Sequence, residues 1–139
     1  KSINNAFGPK VSNITLTRAA GTVTEGGSSA NEFDAIQFKK EGNGEYTNVV
    51  ISGYTTSNTT LTATAVRIQD KSTNDNQVTG GKIKMLNVKI NDGTSQFAGV
   101  GTTFTVAFPT GNYTTSTTAT GATLTAGAWA IVDGVSLIK

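Results

Sequence analysis

The chain contains no cysteine and no histidine, and only 14% of its 139 residues carry a charge. Without cysteine there is no disulfide framework, no zinc–thiolate cluster and no thiol nucleophile. Without histidine the commonest metal ligand, the commonest general base and every serine–histidine arrangement are excluded. Arginine is confined to Arg18 and Arg67, so bidentate recognition of phosphates or base edges has little to work with. The lysines are scattered, with Lys39–Lys40 adjoining and Lys82, Lys84 and Lys89 along one segment, and they read as solvated strand faces or edge protection. Nucleic acid is therefore not an expected partner. No apolar run approaches the length of a transmembrane helix, so no membrane span is expected. Residues 1–5 do not form a signal peptide and the first residue is Lys, which leads to the expectation of a mature, exported form.

What is present is threonine, the commonest residue, with Gly, Asn, Ser and Ala beside it; apolar residues make up 36% and the net charge is +2. Threonine is β-branched and suits a pleated, half-wet surface better than a helix. A chain that solvates itself with hydroxyls is expected at the cell surface or outside the cell. Its length fits one core, with residues 1–10 as a flexible or strand-donating arm and 11–139 as one domain.

A period of two recurs along the chain. Ile14 and Leu16 alternate with Thr15 and Thr17, Ile36 and Phe38 with Gln37 and Lys39, and Phe104, Val106 and Phe108 with Thr103, Thr105 and Ala107. Trp129, Ile131, Val135 and Leu137 share one parity. The pattern slips in Lys82–Ile90, near Met85, and in Leu61–Ile68, between Ala65 and Val66, as β-bulges would make it. Gly42-Asn43-Gly44, Asn91-Asp92-Gly93-Thr94 (read as a hairpin turn) and Pro109-Thr110-Gly111-Asn112 punctuate the strands. No internal repeat is visible. Thr114–Thr125 reads as a loop or a flat Thr-rich strand. One wet and one dry face per strand, with evenly spaced turns, leads to an all-β antiparallel sandwich of jelly-roll or immunoglobulin-like type.

Few groups could carry chemistry. Glu32 with Asp34, and Glu41 with Glu45, are the acidic pairs; a glycosidase would need two such groups across a cleft, one with a raised pKa. Solvated turn carboxylates are the simpler reading, and no enzyme activity is expected. Asp70, Ser72, Asn74 and Asp75 place oxygens where calcium could use them, yet the sixth-position glycine and bidentate glutamate of an EF-type loop are missing. An Asx-rich loop satisfying its own backbone is the stronger reading, and no other cofactor is expected. The paired glycines 26–27 and 80–81 do not form a phosphate-binding turn. Tyr46, Tyr54 and Tyr113 flank turns and, with Trp129, could stack sugars, although Trp129 shares its parity with core positions. Asn13, Asn58 and Asn112 begin N-glycosylation triplets, expected by chance in so Thr-rich a chain.

The segment Trp129-Ala-Ile-Val-Asp-Gly-Val-Ser-Leu137 resembles the closing strand of jelly-roll carbohydrate-binding modules, over less than a tenth of the chain. Their opening phrase and aromatic content are not matched. In composition the chain is similar to microbial pilins, without the apolar N-terminal helix of the type IV class. Neither likeness defines a family. The expectation is a secreted structural subunit of a filament or surface layer, a homopolymer built by strand complementation with Ile14 and Leu16 as plugs. The alternative is a carbohydrate-binding or adhesive module contacting polysaccharide.

Overall fold

A computed structural model of the chain describes residues 8–18, 34–54, 64–91, 95–99, 104–123, 131–132 and 135–136. Four strands, β1 (Lys10–Thr17), β3 (Gly44–Ser52), β5 (Ile83–Ile90) and β7 (Tyr113–Thr115), form one sheet in that order. Three shorter ones, β2 (Ile36–Phe38), β4 (Thr64–Ile68) and β6 (Ser95–Gly99), form a second. Every pair in both sheets is parallel. Only β8 (Ile131–Val132) and β9 (Val135–Ser136) pair antiparallel, as a separate ribbon.

Successive strands alternate between the two sheets, and each strand lies beside the one two places earlier. The chain thus winds as a β-solenoid, one long and one short strand per coil, with coils stacked at the usual strand spacing of about 4.8 Å. This overturns the antiparallel sandwich. Alternation such as Ile14-Thr15-Leu16 shows that one face is dry, but it does not show which way the neighbour runs. Most parallel sheets are covered on both faces, whereas the long sheet here keeps a wet outer face, as antiparallel sheets commonly do.

The register exposes a repeat that the sequence had concealed. Val11, Tyr46 and Met85 are aligned, as are Ile14, Val49 and Val88, and Leu16, Ile51 and Ile90. The motif is apolar-x-Asn-apolar-x-apolar, recurring about 35 to 40 residues apart, within the range of solenoid periods. Its asparagines, Asn13, Asn48 and Asn87, all have positive φ, between 56° and 58°. Each inserts one left-handed residue, so that two residues instead of one separate consecutive inward side chains. The slip expected near Met85 is this insertion. The slip expected between Ala65 and Val66 is not: β4 runs in register through both residues and is buried on both faces.

The core lies between the sheets. Val49, Ile51, Ile83, Met85 and Val88 from the long strands meet Phe38, Val66 and Ile68 from the short ones, with Val78 and Val106 from the connections. Phe104–Phe108, expected as a strand, is not a strand among the described residues; its alternation places Val106 inward and packs Phe104 and Phe108 against the core. β2 and β3 belong to different sheets, as do β5 and β6, so neither pair is a hairpin; Gly42–Gly44 leads around a corner into β3, and residues 92–94 of the expected hairpin turn lie outside the described residues. Residues 1–7 of the expected arm lie outside the described residues, while Pro9 already accepts a hydrogen bond from Glu45 N (2.9 Å) beside β3. Among the described residues no helix is long and apolar enough to cross a membrane.

Candidate functional site

Asparagine is the L-residue best suited to a left-handed bend, because its short carboxamide can bond locally. Stacking three such bends brings the carboxamides into a ladder on the outer face of the long sheet. Asn48 Nδ2 donates to Asn13 Oδ1 (2.8 Å), and Asn87 Nδ2 donates to Asn48 Oδ1 (3.4 Å). In the fourth coil the motif lacks its asparagine, and Asn87 N donates instead to Thr114 Oγ1 (2.9 Å).

The segment Ser116–Thr123, within the expected Thr-rich loop, is a strap across this face. Ser116 N donates to Val88 O (2.9 Å), Thr120 N and Gly121 N to Asn48 Oδ1 (2.9 and 3.2 Å), and Ala122 N to Thr15 Oγ1 (2.9 Å). Asn48 Nδ2 is shared with Thr120 Oγ1 and Gly121 O. The strap therefore descends from the last coil to the first. Gly121 makes the approach possible: its φ is +67°, and a Cβ there would stand 2.2 Å from Thr15 Oγ1.

Between β4 and β5 a short helix, α1 (Lys71–Thr73), continues as a π-helical turn, Asn74–Val78. Asp70 caps it, accepting from Thr73 N (2.8 Å) and Ser72 Oγ (2.7 Å), and also from Lys40 N (2.9 Å) in the coil below. Burial opposes ionisation of Asp70, but these donors outweigh it and hold the pKa down to about 2. Asp75 pairs with Lys71, and Asn74 is buried. The expected calcium ligands are thus neighbours, but Asp70, Ser72 and Asp75 are engaged by the protein itself. Among the described residues no three acidic groups converge on a point.

Glu41 and Glu45 are likewise engaged. Glu41 accepts from Gln77 Nε2 (2.6 Å) and Asn76 Nδ2 (3.1 Å), and Gln77 Oε1 accepts from buried Asn43. The hydrogen bond from Gln77 lowers the pKa of Glu41, against a smaller effect of burial. Glu45 lies between Lys10 and Lys84, each at 3.4 Å, and their charges outweigh burial to lower its pKa too. A general acid needs the opposite shift. Asp34 is fully buried in a fork with Arg67, at 2.5 Å to Nε and 3.0 Å to Nη2, and accepts from Thr64 N and Oγ1 at 2.8 Å each. It holds the start of β2 against β4. Glu32 lies outside the described residues.

The rings serve packing. Tyr46 meets Phe38 edge-on at 5.5 Å, Tyr113 lies 5.4 Å from Phe108, and Tyr54 is partly buried against the core. Trp129 lies outside the described residues.

The remaining feature is an edge. β1 is the first strand of the long sheet, and among the described residues no strand pairs with its other side. Val11 is 40% exposed, and Ile14 and Leu16 are half-buried, whereas their register mates Val49 and Ile51 are fully buried. At the opposite end β7 is only three residues long and stops beside Val88. A groove of about 570 Å³ lined by Val88–Asn91 and Thr115–Thr117 marks where the fourth coil falls short. Sequence reasoning picked out Ile14 and Leu16 but missed the ladder and the strap. The recurrence of Asn immediately before a β-branched inward position was the available signal. No protein-family model matches the chain, and no curated protein or solved structure is similar to it.

Proposed function

We propose that this chain is an extracellular structural subunit, of a filament or surface layer, joined to its neighbours by strand addition at β1. One observation carries the reading: β1 has the apolar motif that β3 and β5 use to stack on one another, yet Val11 is exposed, Ile14 and Leu16 are only half-buried, and among the described residues no strand lies on the far side of β1. This eight-residue edge carries one charge, Lys10, and one left-handed residue, Asn13, and the rest of its length is open to pairing. The polar groups that might have served catalysis are engaged in caps, ladders and ion pairs, and the tyrosines in packing, which favours assembly over the carbohydrate-binding alternative.

Removing residues 1–17 would be a poor test, since β1 has seven register partners in β3 and its loss would uncover Val49 and Ile51. Ser12→Pro is better. The side chain is exposed, and its N–H points away from β3, so proline removes an edge donor while leaving the β1–β3 bonds intact. In sedimentation velocity the unmodified chain should form concentration-dependent assemblies, and S12P should weaken them at least tenfold. Unmodified chain that stays monomeric throughout, or assembly indifferent to S12P, would overturn the reading.

A further inference from the structure

Resting on that reading, we infer that the partner at β1 is a second copy of the chain, its β1 lying antiparallel about a two-fold axis. Four observations converge. Pro9 O and Arg18 N bond to β3. Neighbouring residues of a strand present their backbone groups to opposite sides, with one shift at left-handed Asn13. Residues 9, 11, 14, 16 and 18 therefore face β3, and Lys10, Ser12, Thr15 and Thr17 face outward.

In an antiparallel pair, outward residues must exchange hydrogen bonds with outward residues. Placing Ser12 opposite Thr15 of the second copy also places Lys10 opposite Thr17, so all four outward residues are used from each chain. The same register puts Val11 beside Leu16 of the second copy, apolar against apolar, with Asn13 and Ile14 at the axis. Lys10 meets a threonine and not another lysine.

Among the described residues the opposite end of the sheet offers no equivalent acceptor. β7 has three residues, its register with β5 shifts between Met85 and Val88, and the chain then leaves as the strap at Ser116. A head-to-tail stack would set an eight-residue strand against this short, stepped end. The two-fold joint is self-complementary and closes after two chains, so any filament must grow through another surface.

The absence of cysteine allows a clean test. Val11 and Leu16 of the second copy form a non-hydrogen-bonded pair, with Cα atoms about 4.5 Å apart, a separation a disulfide spans. Under mild oxidation a mixture of V11C and L16C chains should give a disulfide-linked dimer, while either variant alone stays largely uncrosslinked. The disulfide-linked product should stop at twice the monomer mass, because the joint closes after two chains. If S12P weakens assembly but the mixture fails to crosslink, and L16C crosslinks instead with I90C, the two-fold geometry is overturned while strand addition stands. If the unmodified chain never associates, both fall.

Discussion

Asn48 is a junction of the fold. Its backbone supplies the left-handed residue of the middle coil, while its carboxamide joins the first coil, the third coil and the strap. Asn48→Ala should cost about 2–4 kcal/mol, from several hydrogen bonds at about 1 kcal/mol each and a left-handed alanine at about 1 kcal/mol or more. Asn48→Gly removes the same bonds without backbone strain, so its urea midpoint should lie between those of the alanine variant and the unmodified chain. Asp70 gives a pH signature. Its folded pKa of about 2 lies below the ordinary value of 3.8, so its stabilising effect is present above pH 4 and is lost as pH falls toward 2. Allowing for partial exposure, the loss should be about 1–2 kcal/mol. Asp70→Ala should flatten the stability profile over that window, read from denaturant midpoints at a series of pH values.

Among the elements, the strap depends on a single residue without a side chain. Gly121→Ala would press a methyl group into Thr15 and require an alanine with positive φ, so the strap should lift while the coils stay stacked. Hydrogen exchange should show amides 116 and 120–122 losing at least tenfold protection and those of 49–51 nearly unchanged. How far these elements could be read beforehand follows from the residues. The alternations at Ile14–Thr17 and Ile36–Lys39 locate β1 and β2, and the slip after Met85 locates the left-handed insertion. Strand direction was hidden because parallel and antiparallel strands share the same two-residue pleat. The repeat was hidden because only a few inward positions and one asparagine recur, at unequal spacings. Arg67 could not be identified as a core residue until Asp34, distant in sequence, was seen opposite it. Ile14 and Leu16 were legible as apolar, but their position on a sheet edge is a property of strand order alone.

Across the molecule, burial rises from the first coil to the second: Ile14 is half-buried where Val49 and Val88 are sealed. Val49→Ala should therefore cost about 2–3 kcal/mol and Ile14→Ala distinctly less in the monomer, compared by chemical denaturation at low concentration. If β1 is covered in an assembly, the two penalties should converge as concentration rises.

Stacked repeats ordinarily behave as a row of dominoes, each coil supported only by its neighbours, so that ends fray and partial stacks persist. Here the strap leaves the last coil and fastens to the first. Its bonds to Asn48 and Thr15 form only when the coils between are in place, and a single misplaced coil forfeits them. A structure of short-range contacts thereby acquires one long-range condition, and unfolding should approach all-or-none rather than proceed coil by coil.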